Sequence, residues 1–197
     1  MKSMKFSFIS VVAFCLLFFA CTTARYPEKG VGQQISPLIA GRGTKSANQL
    51  VEFFMSRNPH GDRAKVTRLA NYYIEEGEFE GINTDVAFVQ MCLETGFLKF
   101  GGLVTSDMNN FCGLGAIDVN NTGERFPTEQ IGVRAHIQHL HAYGTKEPLK
   151  GELVDNRYKY VNPRGKAPDI FGLAGTWAAD KAYGQKLWNL LLGLEEL

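Results

Sequence analysis

The sequence predicts a mainly α-helical domain with a small β-hairpin. From residue 46 onward, most of the chain has apolar residues at helical spacing, and these stretches begin after good helix N-caps. Residues 117–127 break this period and contain the turn sequence NNTG at 120–123, which is typical of a hairpin. The chain has 197 residues, of which 45% are hydrophobic, enough to bury the core of one domain.

The N-terminal segment predicts export. Lys2 and Lys5 precede the apolar run 6–20, which is too short to span a bilayer and fits a signal peptide. An alanine and then Cys21 follow, which resembles the lipobox where a bacterial signal peptidase cuts before a cysteine that is then lipidated. We expect residues 1–20 to be a lipoprotein signal peptide and the protein to be membrane-anchored, facing the periplasm or cell wall. An ordinary secretory signal is the alternative.

Composition limits the partners. Residues 21–45 contain two prolines and four glycines without a sustained period, which predicts a lipid-anchored tether before a domain at 46–197. The 21 basic and 20 acidic residues nearly balance. This balance argues against a nucleic-acid partner, and it leaves a lipid anchor rather than a basic patch as the expected membrane contact.

Six helices are predicted along this domain. The third is apolar almost all round, which is typical of a central, buried helix. The helices are expected from Ser46 to about 57, from Asp62 to about 77, at about 85–95 after Asn83 or Thr84, from Thr128 to about 143, and at about 169–178 and 181–192.

Glu94 stands out at the end of the third helix. Gln90 lies four residues earlier on the same face. Desolvation on a buried helix and the negative end of the helix dipole both raise the pKa of a carboxyl. A carboxyl that stays protonated near neutral pH can serve as the general acid in glycoside cleavage. The alternative is a carboxyl that reaches water or pairs with a basic side chain.

The Asn/Gly-rich stretch 109–115 (NNFCGLG) supplies groups suited to sugars. Glycines let the backbone approach a ligand, and the amides of Asn109 and Asn110 can bond to hydroxyls. Phe111 can pack on a sugar face. The alternative is a structural turn with Phe111 in the core.

Four motifs in order resemble glycoside hydrolase family 73, the glucosaminidase-domain autolysins. Residues 90–97 (QMCLETGF) resemble its pattern Q-x-x-L-E-[ST]-G-[WF], and residues 109–113 resemble its loop N-[LN]-F-x-G. Residues 126–140 resemble the helix that follows in the most similar bacterial branch, and residues 177–187 resemble the terminal motif Y-A-T-D-P-x-Y-x-x-K-[IL]. The resemblance covers about 46–192.

This resemblance implies a lysozyme-like helical domain with a small β-lobe. It also implies hydrolysis of β-1,4 bonds in the glycan strands of peptidoglycan by an endo-β-N-acetylglucosaminidase, without a cofactor or metal. Glu94 matches the acid. The residues expected to bind substrate are Gln90, Asn109, Asn110, Phe111, Gly113, Trp177 and Tyr183.

The second catalytic group is less defined by the resemblance. It is sometimes assigned to the β-lobe, where Glu124 is the weaker candidate and Asp118 lies nearby. Without such a carboxylate, the acetamido group of the substrate could act as nucleophile. Two positions depart from the family pattern, since Trp177 replaces a common tyrosine and Lys181 replaces a proline. An indole can stack and donate an N–H, but it has no phenol.

Cys92 and Cys112 are the cysteines left once the signal is cut and Cys21 is lipidated. Export permits a disulfide between them, and the resemblance places their elements side by side. Two buried thiols are the alternative. The histidines at 136, 139 and 141 suggest metal ligands, but a zinc site needs further ligands, and we predict none.

Two other functions remain open from the sequence. A muramidase or a lytic transglycosylase could also work with one glutamate. A non-catalytic wall-binding lipoprotein is the third possibility, if the change at Trp177 removed activity.

Overall fold

The computed structural model describes residues 34–197. The predicted signal peptide, Cys21 and the first part of the predicted tether lie outside these residues. Within them the protein is mainly helical with one small antiparallel sheet, as predicted. The helices are α1 (Ala47–Arg57), α2 (Arg63–Glu80), α3 (Thr84–Glu94), α4 (Glu129–Gly144) and α5 (Tyr183–Glu195). None of the helices in this part of the chain is long and apolar enough to cross a membrane.

The first four helices begin where the sequence indicated. Ser46 caps α1 in a reciprocal capping box with Gln49. Asp62, Asn83 and Thr128 cap α2, α3 and α4. Each side-chain oxygen accepts a backbone N–H that has no partner inside its helix, so these starts are fixed by local chemistry.

Helix α2 runs three residues past the predicted end at Gly77. It stops instead at Gly81, which adopts the left-handed conformation with φ 78°. Gly77 is buried inside the helix, where a Cβ atom would lie 2.5 Å from Cγ2 of Thr84. This glycine therefore permits close packing against the start of α3 and does not end the helix.

The predicted helix at 169–178 is wrong. Only a 3-10 turn, Ile170–Leu173, forms there, because the Asp169 side chain accepts the N–H groups of Phe171 and Gly172. The chain then turns at Gly175, where φ is 78°. The last helix begins at Tyr183, two residues later than predicted.

Helix α3 is central, as its apolar composition predicted. It packs against all four other helices, and residues 84–92 are buried. Its final residue, Glu94, reaches the surface. A carboxyl at this position is therefore held by the most enclosed element of the domain while remaining accessible to a ligand.

The predicted tether is wrong from residue 35 onward. Ile35 and Ile39 are buried in the main hydrophobic core. The backbone of Ile39 also accepts a hydrogen bond from the N–H of Asn83 at 2.8 Å and donates one to the carbonyl of Pro168 at 3.0 Å. The domain thus begins before Ser46, because this segment contributes both core side chains and backbone pairing.

The small hairpin lies where it was predicted. Strand β1 (Ala116–Asp118) pairs antiparallel with β2 (Asn121–Thr122). Oδ1 of Asp118 accepts the N–H groups of the two asparagines in the turn. The hairpin follows directly on the Asn/Gly-rich stretch and projects from the surface.

Candidate active site

Two adjacent pockets meet at Glu94, and together we call them the groove. The smaller, about 150 Å³, lies between the end of α3 and residues 100–104. The larger, about 360 Å³, is lined by residues 112–116 and by side chains from α4 and the C-terminal region. Glu94, Gly113 and Ala116 line both pockets. A chain of sugars lying along the groove would pass directly over the Glu94 carboxyl.

One oxygen of this carboxyl is held by two donors. Oε1 of Glu94 accepts a hydrogen bond from the hydroxyl of Tyr183 and another, at 3.0 Å, from Nε1 of Trp177. Oε2 makes no hydrogen bond with the described residues. The transferable proton of the neutral acid therefore belongs on Oε2.

The pKa of Glu94 is raised. The sequence suggested a buried side chain, whereas the structure exposes Glu94 to the groove at the end of α3. Protein still surrounds the carboxyl sufficiently that desolvation raises its pKa, and this outweighs the opposing hydrogen bonds from Tyr183 and Trp177. The shift favours the protonated form that a general acid needs.

A buried hydrogen-bond network supports the acid from behind. Nε2 of Gln90 donates to the hydroxyl of Tyr183 at 2.8 Å, and Oε1 of Gln90 lies 3.0 Å from Nε2 of His136. Since this amide oxygen can only accept, Nε2 of His136 carries the proton. Burial lowers the pKa of His136 to about 3, so the ring is neutral and its Nδ1 accepts from Tyr73 at 2.8 Å. Each group in the network therefore has one consistent role.

Trp177 forms the wall of the larger pocket. Its indole donates to Glu94 and lies 5.2 Å, between ring centroids, from both Tyr143 and His139. The indole thus makes a polar contact with the acid and offers an aromatic face to a ligand. One of the two residues that depart from the family-73 pattern is therefore in direct contact with the acid.

His139 and Asp155 form a pair in the same pocket. Nδ1 of His139 lies 2.6 Å from Oδ2 of Asp155, which is buried behind the pocket wall. His139 and Arg157 both line the pocket that contains Glu94. The larger pocket therefore contains two basic side chains in addition to Glu94.

Comparison with known proteins agrees with this site. The family model Glucosaminidase, described as mannosyl-glycoprotein endo-beta-N-acetylglucosaminidase, matches residues 70–196. The chain belongs to the Glucosaminidase family. It is also 42% identical over 160 residues to an uncharacterized protein of Borreliella burgdorferi, covering 81% of this chain and 78% of that relative. The match includes Glu94, the groove and α5, so the lysozyme-like helical fold with a small β-lobe is the fold of this glucosaminidase domain.

The prediction that Gln90 and Phe111 bind substrate in the glucosaminidase site is wrong. Gln90 and Phe111 are fully buried, so neither can touch a ligand in the groove. Gln90 belongs to the network behind the acid, and Phe111 packs in the main core. Tyr183 is also buried and contacts Glu94 from behind, which makes it a support for the acid.

The amide of Asn110 holds the loop of the glucosaminidase groove in shape. Its Nδ2 donates to the carbonyls of Leu114 and Glu124 at 2.9 and 3.0 Å, and its Oδ1 accepts the N–H of Leu114. Asn110 lines the smaller pocket, Gly113 lines both pockets and Trp177 lines the larger one. These three predicted binding residues are positioned at the groove.

Asn109 lies outside both pockets. It adopts φ 51°, and its Nδ2 donates to the carbonyl of Phe126 at 3.0 Å. Its backbone carbonyl packs so closely on α4 that a Cβ atom at Gly132 would lie 1.8 Å from it. Asn109 therefore anchors the loop to α4.

The structure does not bring a β-lobe carboxylate to Glu94. Oε2 of Glu124 lies 3.4 Å from the side-chain amide of Asn156, and Glu124 lines neither pocket of the groove. Asp118 is in the exposed hairpin turn, where it accepts backbone N–H groups. Neither residue is placed to act with Glu94 in this conformation.

Cys92 and Cys112 are free, buried thiols, so the disulfide is not formed. The physical reason is that the two side chains pack in different hydrophobic clusters. Cys92 is part of the main core, and Cys112 packs with Leu114, Phe126 and Ala135. Burial raises the pKa of both thiols well above its usual value, which leaves them uncharged and unreactive.

The three histidines of α4 have separate partners. His136 bonds to Gln90 and Tyr73, His139 to Asp155, and His141 to Tyr158. Among residues 34–197, no group of three or more metal-ligating side chains could hold an ion.

Sequence reasoning missed three residues at the larger pocket, Tyr143, Asp155 and Arg157, and it named His139 only together with the other two histidines of α4. His139 and Tyr143 are four residues apart, so their shared helix face was detectable in the sequence. Asp155 and Arg157 come from an irregular loop after α4, and no local pattern indicates that the loop returns to the groove.

Proposed function

We propose that this glucosaminidase domain cleaves β-1,4 glycosidic bonds in peptidoglycan glycan strands, as an endo-β-N-acetylglucosaminidase with Glu94 as the general acid. The observation that carries the proposal is the position of the Glu94 carboxyl between two pockets. A glycosidic oxygen at this junction would have one sugar on each side. Such an oxygen can take the proton from Oε2 as the bond to the leaving sugar breaks.

The two donors on Oε1 support both halves of this proton transfer. They leave Oε2 free for the proton before transfer. After transfer they stabilise the carboxylate, because charge-assisted hydrogen bonds are stronger than neutral ones. A positioned general acid contributes roughly 10²–10⁴-fold to the rate.

The acetamido group of the substrate is the nucleophile in this proposal. Glu124 and Asp118 do not face Glu94, so the described residues offer no second carboxylate at the junction. An N-acetylated sugar carries its own oxygen nucleophile next to the anomeric carbon. This choice accounts for a site with one groove carboxyl.

Arg157 favours an anionic polymer as substrate. It lines the larger pocket and makes no ion pair with any side chain in the described part of the chain. Peptidoglycan carries carboxylates on its peptides, and on muramyl groups from which the peptide has been removed, and an unpaired guanidinium binds carboxylates well. A neutral glycan would leave this charge without a partner.

A zymogram with purified cell wall tests the proposal. The wild type should clear the wall and release new reducing N-acetylglucosamine ends, whereas Glu94→Gln should lose at least roughly 10²–10⁴-fold of this rate. Thermal unfolding of Glu94→Gln should stay unchanged or move to higher temperature, because the neutral isostere removes only the titrating group. Reducing muramic acid ends would indicate a muramidase, and anhydro ends a lytic transglycosylase. Wild-type lysis by the folded variant would rule out Glu94 as the acid.

We also propose that the protein is an exported lipoprotein anchored through Cys21. The basic residues, the apolar run and the cysteine at the end of that run support this. Cys21→Ser should shift the protein from the detergent phase to the aqueous phase of a partition assay. Unchanged partitioning would place the anchor elsewhere.

A further inference from the structure

We propose that His139, oriented by Asp155, is a second catalytic residue of this site: it takes the proton from the water that completes hydrolysis. The inference rests on the proposed function and assigns the base of its second step to His139 in place of the Glu94 carboxylate that the first step leaves. It comes from the arrangement of the larger pocket, since the sequence indicated neither residue as an acid, a base or a nucleophile.

Asp155 fixes one nitrogen of the imidazole. Its side chain is fully buried, with Oδ2 at 2.6 Å from Nδ1 of His139 and Oδ1 accepting the N–H of Arg157 at 2.8 Å. A buried carboxylate is costly unless it is paired, and His139 is its only ionisable partner among the described side chains. The pair therefore holds Nδ1 in the protonated form and leaves the lone pair of the neutral ring on Nε2.

The other nitrogen is open to the groove. Nε2 of His139 has no hydrogen-bond partner among the described residues. This atom is not buried, so water or a ligand can reach it. The side chain is 12% exposed and lines the pocket that contains Glu94. By contrast, His136 uses both ring nitrogens in buried bonds one turn earlier. His139 thus combines a carboxylate behind the ring with a free nitrogen in the groove.

Trp177 separates the base from the acid. Its indole donates to Glu94 and packs edge-on against His139, so the two groups flank one aromatic ring. A general base needs room for a water molecule between its nitrogen and the anomeric carbon. Because the indole stands between the two groups, His139 does not bond to Glu94, and its Nε2 is left to a water molecule in the pocket.

The chemistry balances with these two groups. Glu94 first gives its proton to the leaving oxygen, while the acetamido oxygen bonds to the anomeric carbon. Water then bonds to that carbon, and the bond from the acetamido oxygen breaks with its electron pair. The proton released by the water goes to Nε2 of His139, and Asp155 stabilises the imidazolium. His139 then returns this proton to solvent, and Glu94 takes one up, which completes the addition of one water.

The decisive variant is His139→Asn. Its amide can still donate to Asp155, as Nδ1 of the histidine does, but the groove nitrogen is gone. His141→Asn on the same helix is the matched control, because His141 bonds to Tyr158 and lines neither pocket. We expect His139→Asn to lose roughly 10²–10⁴-fold in kcat on cell wall with little change in KM, and His141→Asn to retain wild-type kinetics.

Chemical rescue separates a base from a structural role. Azide attacks without losing a proton, so it should restore turnover of His139→Asn and give a glycosyl azide detectable by mass spectrometry. It should not restore Glu94→Gln, which lacks the acid. Asp155→Asn should lower kcat less, and the double variant should lose no more than His139→Asn alone, because the two residues act as a unit.

Two results would overturn the inference without touching the proposed function. One is a kcat of His139→Asn within about threefold of His141→Asn, and the other is a loss of activity that azide does not rescue in a variant with unchanged thermal unfolding. If His139→Asn does not fold, Asp155→Asn must show reduced kcat with unchanged KM, or the inference fails. Absence of new reducing ends with the wild type would instead overturn the proposed function and this inference together.

Discussion

The hydroxyl of Tyr183 donates a hydrogen bond to the carboxyl of Glu94, although the two residues are 89 positions apart in the chain. The same hydroxyl accepts from Gln90, one turn before Glu94 on α3. The first residue of α5 is thereby locked to the last turn of α3. The orientation of the acid consequently depends on the docking of the C-terminal helix, and the site forms only when the domain is complete.

This bond predicts the effect of Tyr183→Phe on pH dependence. The hydrogen bond from Tyr183 lowers the pKa of Glu94, so its removal raises that pKa further. Because the acid must be protonated, the alkaline limb of the activity profile should move to higher pH. The variant should also lose about 1–3 kcal/mol of stability, since the buried amide of Gln90 loses its acceptor.

The measurements are the pH–rate profile of cell-wall solubilisation and the unfolding midpoint. Tyr72→Phe, on α2 and outside both pockets, is the matched control and should leave the alkaline limb in place. The assigned hydrogen bond would be contradicted if the alkaline limb of the pH–rate profile of Tyr183→Phe were unchanged or moved to lower pH.

Local signals account for what the sequence predicted of the fold. The four N-caps were identified because a capping side chain acts within three residues of its own position. Gly77 was misread as a stop because its role is to pack against Thr84, a tertiary contact. The segment at Ile39 was misread as a tether because its partners, Asn83 and Pro168, are distant in sequence.

The same division holds for the site. Glu94 was identified because a carboxyl at the end of an apolar helix is a local anomaly. The motifs also contained Gln90 and Tyr183, for which the sequence predicted contacts with substrate. The structure shows that their hydrogen bonds support the acid instead. The pair of His139 and Asp155 joins a helix to an irregular loop, which no periodic pattern predicts.

The burial of His136 predicts that the folded protein loses stability as the pH falls. Burial lowers its pKa from 6.5 to about 3 in the folded protein, so between these values the unfolded chain binds one more proton than the native state. The free energy of unfolding should therefore fall as pH decreases from about 6.5 towards 3. One such group contributes a slope of up to about 1.4 kcal/mol per pH unit.

Chemical denaturation at several pH values measures this slope. His136→Gln preserves a donor to Gln90 but does not titrate, so its stability should depend less on pH in the same interval. His60→Gln changes an exposed histidine and should keep the wild-type slope. Equal slopes for His136→Gln and the wild type would mean that His136 is not held neutral by the fold.

The final prediction concerns where the domain begins. Ile39 is fully buried, and its side chain packs on α4, where a Cβ atom at Gly144 would lie 2.4 Å from Cγ2 of Ile39. Ile39→Ala should cost roughly 2–5 kcal/mol of stability, the range for removing a large aliphatic side chain from a packed core. Leu38→Ala is the matched control, because Leu38 is the adjacent residue and is 51% exposed.

Denaturant unfolding compares the two variants. A true tether would make both substitutions equally harmless, whereas a large difference between neighbours requires the alternating burial of a segment that belongs to the core. Equal, small effects would move the domain boundary back to Ser46.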